Sequence, residues 1–337
     1  MTTIHSFFAL KFHESDADKS KVEAIEKALN AAGITITLMA RDFEKWCEAK
    51  IPEGKTLMRD YAFPAMQKCD CNIIEFSEKG VGLGINAGYC YAIGKPIFVI
   101  AKTGSDISST IADLATKVIF YDEPSDLIEP FKEIAANFPR VILASKSSVR
   151  RQQMTDAGLS FEVIVSDADE TPDQSKSLKD QLADISMRKA QTVFEATKND
   201  PGLRLIVAAD QNIMFENQLY GKPKSIEEAR NLICRMRGSD EVYSYTGNAI
   251  LLARGDQILE SINITDTART SVDNLSDAEV EDFLALDTWS TVCGAANINN
   301  APFVHLKDGR MSTAKGMTIE YAEELLKKAR LGEYATV

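Results

Sequence analysis

Short apolar runs alternate with amphipathic stretches along the whole chain. In the first half, runs of strand length such as IHSFFAL, CNIIEF and PIFVIA are separated by helical patterns such as KSKVEAIEKALNAAG and GINAGYCYAIG. Strands that alternate with helices in this way are typical of α/β proteins. The last helical pattern of this half, SDLIEPFKEIAANF, runs into FPR at residues 138–140, and we place a domain boundary near Pro139.

The second half begins with VILASKSS, a strand that leads into a helix, and continues with the predicted strand FEVIVSDADE. The helix LADISMRKAQTVFEATK, the strand LRLIVAADQNIMF and the helix IEEARNLICRMRG follow, and then two long β-rich segments, EVYSYTGNAILLA and QILESINITDTARTSV. Ser276 and Glu279 have the spacing of a capping box, which predicts a helix start. The pattern therefore predicts two α/β domains, residues 1–138 and 139–337.

Composition narrows the class of protein. A chain of 337 residues with 45% hydrophobic and 26% charged residues is ordinary for a globular protein of about two domains. The net charge of −12 argues against a nucleic-acid polymer as partner. No apolar run approaches the roughly 18 residues of a membrane span, and the apolar start is too short for a signal peptide. Cysteines without CxxC spacing predict reduced thiols, and we expect a cytoplasmic protein.

A glycine-rich segment, GVGLGINAGY at residues 80–89, lies between a predicted strand and a predicted helix. Gly82 and Gly84 would bring backbone amides close to a ligand at a helix N-terminus, although a tight strand-to-helix turn explains them equally well. The wider segment CDCNIIEFSEKGVGLGINAGYCYAIGKPIFVI resembles the nucleoside 2-deoxyribosyltransferase family, and the resemblance extends over about residues 4–136. It implies a doubly wound parallel sheet in this half.

This family uses a glutamate as the nucleophile toward the sugar, and Asn86 occupies its place here. A neutral amide is a very poor nucleophile, so the resemblance implies a fold that is kept and a chemistry that is lost. Asp70 matches the family's binding carboxylate, and with Gly82, Gly84 and Asn86 it forms the expected ligand site for a nucleoside or nucleotide. Glu75 and Glu78 are interpreted as ordinary residues at a strand end.

In VILASKSSVRR, Ser145 and Ser147 precede Arg150 and Arg151 at the start of a helix. Hydroxyls, free amides and arginine forks at a positive helix end suit a phosphate, although serine capping of a basic helix explains the segment alone. The segments FEVIVSDADETP, LADISMRKA, VAADQNIMFENQLYGKP and YTGNAI follow in order. Together they resemble the Maf family of nucleoside triphosphate pyrophosphatases over about residues 141–325, which implies a mixed, elongated sheet.

The resemblance implies hydrolysis of the bond between the α- and β-phosphates with a divalent metal, Mg²⁺ or Mn²⁺. Asp210, at the end of an apolar strand, matches the proton acceptor for the attacking water. Glu170 binds the metal with Asp210 or orients the water, and Lys189 and Lys222 supply positive charge to phosphate oxygens. The remaining substrate-binding candidates are Ser145, Ser147, Val149, Arg150, Arg151, Gln211 and Asn299.

Other segments indicate which branch of this family the chain resembles, and so which nucleotide base is preferred. The dTTP and UTP branch typically shows S-P-R-R, A-D-T and D-K-A-G, whereas this chain has SSVRR, ADQ and TVCG. Gln211 after the acidic residue is closer to the branch that acts on 7-methyl-GTP. Val149 provides no ring for stacking on a cationic base, and Asn299 replaces the usual Gln or Glu near the base.

We therefore expect a two-domain pyrophosphatase of modified or non-standard nucleotides, with a degenerate nucleoside-binding module at its N-terminus. Two alternatives stay open. One is a deoxyribosyltransferase or nucleotide N-glycosidase that uses another carboxylate of the N-terminal half; the other is a non-catalytic nucleotide sensor. The sequence also leaves open whether the chain forms a homodimer, as Maf-like proteins often do.

Overall fold

The computed structural model describes residues 4–13, 15–46 and 48–332. The chain forms two compact units. The N-terminal unit contains residues 1–140 together with residues 158–160 and 326–337, and the C-terminal unit contains residues 141–157 and 161–325. No helix in the described part of the chain is long and apolar enough to cross a membrane.

The N-terminal unit is built on a five-stranded sheet in the order β2-β1-β3-β4-β5, with every pairing parallel. This confirms the predicted parallel sheet. Its strands are β1 (Ile4–Leu10), β2 (Ile34–Leu38), β3 (Cys71–Glu75), β4 (Ile97–Lys102) and β5 (Lys117–Tyr121). Its helices are α1 (Asp16–Ala31), α2 (Met39–Asp42), a π-helix (Leu57–Ala62), α3 (Phe63–Lys68), α4 (Val81–Ala92), α5 (Ser109–Leu114), a 3-10 turn (Pro124–Leu127) and α6 (Ile128–Asn137).

Helices cover both faces of this sheet, so alternate residues of a strand enter different cores. Ile73 packs in the cluster that includes Val22 and Phe131, whereas its neighbour Ile74 packs in the cluster that includes Met66 and Leu83. A strand that is buried on both faces is apolar at successive positions, as Ile73 and Ile74 are in β3 and as residues 97–101 are in β4. The predicted doubly wound arrangement is confirmed.

The C-terminal unit contains a mixed sheet whose main path is β12-β11-β10-β8-β6-β7, with β9 paired to β8. Its strands are β6 (Arg140–Leu143), β7 (Glu162–Val163), β8 (Leu203–Phe215), β9 (Gln218–Tyr220), β10 (Val242–Arg254), β11 (Gln257–Val272) and β12 (Val304–Asp308). Its helices are α7 (Ser148–Asp156), α8 (Leu178–Thr197), α9 (Ile226–Met236), α10 (Asp277–Leu284), a 3-10 turn (Trp289–Thr291) and α11 (Met311–Lys315). Helix α12 (Ile319–Arg330) follows, and its residues from 326 onward belong to the N-terminal unit.

The sheet is mixed because β6 and β7 are parallel, whereas β8 with β10, β10 with β11 and β11 with β12 are antiparallel. This confirms the predicted mixed sheet. The capping box of Ser276 and Glu279 is present in both directions at the start of α10. The prediction of a strand over FEVIVSDADE is wrong for most of its length, since only Glu162 and Val163 pair, opposite Ile142 and Leu143.

Helix α8 lies unusually close to strand β10 at Gly247. A Cβ atom on Gly247 would overlap the backbone carbonyl oxygen of Leu182 and would lie 2.9 Å from Ser186 Oγ. Gly247 pairs with Asp210 on β8, and Lys189 lies two turns beyond Leu182 on α8. Because Gly247 has no side chain, α8 can approach β10 and its neighbour β8 closely, and this distance sets the geometry of the candidate site.

We predict that Gly247→Ala destabilises the protein by about 1–3 kcal/mol, because an extra methyl group in a close-packed contact forces the helix away from the sheet. Urea denaturation of the C-terminal unit measures the change. Gly202→Ala is the matched control, because its new methyl group would meet only the Asp200 side chain, 3.1 Å away. An unchanged midpoint for Gly247→Ala would contradict the assigned packing.

Candidate active site

A cavity of about 400 Å³ lies within the C-terminal unit, where β6 ends and the chain turns into α7. Ala144, the residue after β6, donates its amide to Val207 O on β8. Strand β8 continues past this point, so Asp210 and Gln211 lie beyond the end of β6 and line the cavity. The predicted residues that line this cavity are Ser145, Ser147, Val149, Arg150, Glu170, Lys189, Asp210, Gln211 and Lys222. The structure therefore brings together most of the residues that the motifs indicated.

The turn between β6 and α7 presents hydroxyls at a helix N-terminus. Ser147 is the N-cap of α7, and its Oγ accepts a hydrogen bond from the Arg150 amide at 3.4 Å. Ser145 Oγ accepts from the Ser147 amide and from Arg150 Nη1, both at 3.2 Å, and Arg150 Nε donates to Gly316 O at 3.0 Å. Arg150 thus fixes the turn with one side of its guanidinium, and the helix end favours an anion.

Lys189 lies between two carboxylates. Its Nζ is 2.7 Å from Asp210 Oδ1 and 3.2 Å from Glu170 Oε1. The lysine side chain is 9% exposed and that of Asp210 is 19% exposed, whereas Glu170 is 59% exposed. A lysine this deeply buried requires a negative partner, so Asp210 and Lys189 hold each other in place. Glu170 reaches the pair from the solvent side.

The rest of the cavity carries positive charge without local compensation. Lys146, Lys222 and Lys315 line it, and no carboxylate within the described residues forms an ion pair with any of them. In a protein with a net charge of −12, unpaired lysines that share one cavity favour a ligand with several negative charges. None of the described residues that line the cavity has an aromatic ring, so they offer no stacking partner for a base.

Cys293 also lines the cavity, and its thiol donates to Gln211 O at 2.9 Å. Burial raises the pKa of this thiol to about 11, against the opposing effect of Arg150 and Lys222. At neutral pH the group is a thiol and not a thiolate, so Cys293 is a polar wall of the cavity and not its nucleophile.

Two predicted substrate-binding residues do not line the cavity. Arg151 is exposed and donates to Lys146 O at 3.2 Å, and Asn299 donates to Asn297 Oδ1 at 3.1 Å and to Lys315 O at 3.2 Å. Arg151 lies on the outer side of α7, and Asn299 supports the wall that Asn297 forms. Residues that the sequence reasoning missed are Lys146, Ser166, Ser290, Thr291, Asn297, Lys315 and Gly316. Of these, Lys146, Ser166 and Thr291 lie within segments that the sequence analysis quoted, so their positions carried a signal.

In the N-terminal unit, the structure does not bring Asp70 to the glycine turn. Asp70 precedes β3, whereas the glycine turn follows the carboxyl end of that strand, and parallel sheets bind ligands at their carboxyl ends. Asp70 Oδ1 is instead 2.6 Å from Arg330 Nη2, and both side chains are buried. The His5 amide and Ser160 Oγ donate to Asp70 Oδ2. The prediction of Asp70 as a ligand-binding carboxylate is therefore corrected: it is one half of a buried ion pair.

The other predicted residues of this unit lie on α4. Gly82 and Gly84 have nothing within 4 Å of the space that a side chain would occupy. Asn86 is 9% exposed, and its Oδ1 accepts no hydrogen bond within the described residues. Glu75, at the carboxyl end of β3, is buried and already paired, with Lys21 Nζ at 2.8 Å and Tyr121 Oη at 3.2 Å.

Divalent metal binding requires oxygen ligands, and Asp210 and Glu170 supply them on one side of the cavity. Within the described residues, no group of three or more acidic, histidine or cysteine side chains is placed to hold an ion alone. This donor set fits Mg²⁺, which binds through one or two carboxylates and completes its shell with phosphate oxygens and water.

A mixed α/β unit whose cavity contains a carboxylate pair, lysines without an ion-pair partner among the described residues and a serine-capped helix end is suited to a phosphate ester or anhydride. The family model described as Maf-like protein matches residues 140–329. The chain therefore belongs to the Maf family. Enzymes of this family are named as nucleoside triphosphate pyrophosphatases, hydrolases that act on phosphoric anhydrides.

Individual relatives match the same half. The dTTP/UTP pyrophosphatase of Bdellovibrio bacteriovorus is 26% identical over 193 residues, which are 56% of this chain and 98% of that protein. The 7-methyl-GTP pyrophosphatase of Cupriavidus pinatubonensis is 31% identical over 158 residues, 47% of this chain and 75% of that protein. A solved 2-deoxyribosyltransferase from Bacillus psychrosaccharolyticus resembles 37% of this chain and 90% of its own, with a TM-score of 0.30 and 18% identity.

Proposed function

We propose that the C-terminal unit hydrolyses the bond between the α- and β-phosphates of nucleoside triphosphates and releases a monophosphate and pyrophosphate. The observation that carries this proposal is one cavity in which Lys189 joins Asp210 to Glu170, while Lys146, Lys222 and Lys315 have no carboxylate partner among the described residues. The unpaired lysines match the charge of a triphosphate, and the carboxylates provide a base. Membership of the Maf family supports the same reaction.

Asp210 is the proposed proton acceptor. Lys189 occupies its Oδ1 at 2.7 Å, and within the described residues Oδ2 has no hydrogen-bond partner, so this oxygen can accept the proton of the attacking water. Because Lys189 fixes the carboxylate, the base is oriented before substrate binds. Lys222 lies on the same cavity wall as a counter-charge for phosphate oxygens, and its attraction increases as negative charge develops on the leaving pyrophosphate.

A divalent ion, Mg²⁺ or Mn²⁺, would be held by Glu170 and Asp210, the two carboxylates of the cavity. When bound, it would neutralise phosphate oxygens and increase the electrophilicity of phosphorus. Glu170 suits this role because its side chain is exposed and free to move toward the ion. The ammonium of Lys189 keeps the two carboxylates from repelling each other before the ion arrives.

We propose modified or non-standard nucleotides as substrates, with 7-methyl-GTP as the first candidate. The segments ADQ and TVCG support this assignment, because they differ from the A-D-T and D-K-A-G of the pyrimidine branch. Val149 and Val292 line the cavity where no ring is available to stack on a methylated, cationic base. The preference is therefore expected to be small, since a cation–π contact of about 0.5–2 kcal/mol is missing.

A second candidate function concerns the N-terminal unit, which we propose binds a nucleoside or nucleotide without cleaving it. The open space over Gly82 and Gly84 and the unpartnered Oδ1 of Asn86 favour binding. Glu75 and Glu78 are both committed to ion pairs, with Lys21 and with Lys11 and His13 respectively. Both carboxylate oxygens of each residue are occupied, unlike Oδ2 of Asp210, which argues against the deoxyribosyltransferase and N-glycosidase alternative.

We predict that the protein releases pyrophosphate, and not orthophosphate, from nucleoside triphosphates in the presence of Mg²⁺ or Mn²⁺, and that EDTA abolishes the reaction. Asp210→Asn should lower kcat by about 10²-fold or more, the usual effect of losing a positioned base. Asp169→Asn is the matched control, because Asp169 is exposed and does not line the cavity. Near-normal turnover by Asp210→Asn would remove this residue from the mechanism.

For the base, we predict that kcat/KM is higher for 7-methyl-GTP than for dTTP and UTP, by about tenfold or less because the stacking contact is absent. Initial rates of pyrophosphate release for the three nucleotides at equal concentration measure the order. A clear preference for dTTP or UTP would reject the subtype assignment and leave the reaction class intact.

For the N-terminal unit, we predict that the full chain releases no free base from deoxynucleosides or their monophosphates above the rate in buffer. Chromatography of the reaction mixture detects the base. The full chain is required because Arg330 completes this unit. Rapid base release would show that a carboxylate acts in place of Asn86, and Glu75→Gln and Glu78→Gln would then test which one.

A further inference from the structure

One face of the mixed sheet stays partly open beyond helix α8. Tyr243, Tyr245 and Gly247 are alternate residues of β10 and so lie on one face, and α8 packs on this face at Gly247. Past that contact, buried residues of β8 and β10 alternate with half-buried ones. Strand pairing places the half-buried side chains next to one another, and they are Asn212, Met214, Tyr243, Tyr245, Thr267 and Arg269.

This open face begins at the proposed proton acceptor. Asp210 and Asn212 are alternate residues of β8, so they share the face and lie about 6.8 Å apart. A Cβ atom on Gly221 would lie 3.4 Å from Asn212 Oδ1, which places the next residue, Lys222, near the same part of the strand. Because Lys222 is the proposed counter-charge of the leaving pyrophosphate, a polyphosphate held there has its far end near Asn212 and its strand neighbour Tyr245.

The two tyrosine rings on this face have no aromatic partner. Within the described residues, neither ring packs against another ring and neither hydroxyl forms a hydrogen bond. Tyr243 and Tyr245 are about 6.8 Å apart along β10, roughly twice the stacking distance of about 3.4 Å in nucleic acids. Lys179 Nζ lies 5.3 Å from the centre of the Tyr245 ring and supports it from α8. This spacing suits a planar base between the two rings.

Polar groups on the same face also lack partners. Arg269 forms no ion pair within the part of the chain that the structure describes, although Asp308 is its neighbour on β12. Thr267 Oγ1, opposite Tyr245, is buried and has no hydrogen-bond partner. In a chain with a net charge of −12, cations beside aromatic rings favour an aromatic ligand that carries negative charge. They disfavour a second copy of this chain, because a two-fold contact would bring Lys179 and Arg269 of both copies together.

We propose that Tyr243 and Tyr245 bind a second base, attached to the far end of the polyphosphate, and that the protein therefore hydrolyses dinucleoside polyphosphates. Water forms a bond to the α-phosphorus of the first nucleoside, the bond from this phosphorus to the bridging oxygen breaks, and Asp210 accepts the proton of the water. A dinucleoside triphosphate then gives a nucleoside monophosphate and a nucleoside diphosphate. The inference rests on the proposed function for its reaction and goes beyond it in the class of substrate.

The experiment compares diguanosine triphosphate with the γ-methyl ester of GTP, which has the same charge and lacks the second base. After correction for its two equivalent ends, diguanosine triphosphate should have a kcat/KM that is higher by about fivefold or more, the usual gain from stacking one base on an aromatic side chain. Chromatography measures the release of GMP. The uridine counterparts repeat the comparison for a pyrimidine.

In Tyr245→Leu the ratio of the two kcat/KM values should fall to within about twofold of one, because the stacking partner is gone. Tyr245→Phe keeps the ring and should keep the ratio. Tyr91→Leu is the matched control, since Tyr91 is 61% exposed on α4 of the N-terminal unit, and it should leave the ratio unchanged. A loss of the ratio in Tyr245→Phe or in Tyr91→Leu would contradict stacking on the Tyr245 ring.

Other results separate this inference from the proposed function. If GTP or UTP releases pyrophosphate while the ratio is one in the natural protein, or persists in Tyr245→Leu, the second-base site is overturned and the reaction stands. If no nucleoside triphosphate is hydrolysed, the proposed function fails, and calorimetric titration of the same two guanosine ligands with Mg²⁺ still tests Tyr245. If light scattering shows a dimer that Arg269→Glu dissociates, a second copy covers this face, which also overturns the inference.

Discussion

The contact between α8 and β10 at Gly247 determines where the charges of the candidate site lie. The glycine lets a turn of α8 rest directly on the sheet, and two turns further along the same helix Lys189 reaches Asp210 on the neighbouring strand. Both charged groups sit on regular elements, and each neutralises the other in a place with little solvent. The geometry of the reacting groups therefore depends on close packing in the centre of the unit and not on the loops around it.

The parts of the fold that could be predicted are those in which one strong local signal decides the structure. The bounds of β8 were predicted correctly from its apolar run LRLIVAA, and those of β11 from its long β-rich segment. The segment FEVIVSDADE shows the limit of this reasoning. Its alternation suits a strand, but β7 lies at the edge of the sheet and β6 offers it only Ile142 and Leu143 as partners. Pairing is a long-range property that local periodicity does not contain.

The candidate site also has a part that could be predicted from the sequence and a part that could not. Asp210, Glu170 and Lys189 belong to motifs, and the structure places them in one cavity. Lys315 and Gly316 come from a segment without a motif, and hydrogen bonds from Arg150, Gln211 and Asn299 to this segment hold it at the cavity. Asp70 was misjudged for a different reason. A carboxylate beside a strand is a ligand candidate at the carboxyl end and a structural residue at the amino end. Asp70 precedes the predicted strand CNIIEF, so its position at the amino end was already visible, but its partner Arg330 was not.

The ion pair of Asp70 and Arg330 joins positions 260 residues apart within one folded unit. During synthesis, the ribosome completes the whole Maf-like region before the partner of Asp70 exists, so the region that is translated first is finished last. Until then a buried carboxylate in the nascent sheet lacks its counter-charge and stays exposed to water or to chaperones. Folding of the N-terminal unit therefore cannot be completed until the last helix has been synthesised. Premature termination in α12 would leave Asp70 without its partner in the half of the molecule that had already emerged from the ribosome.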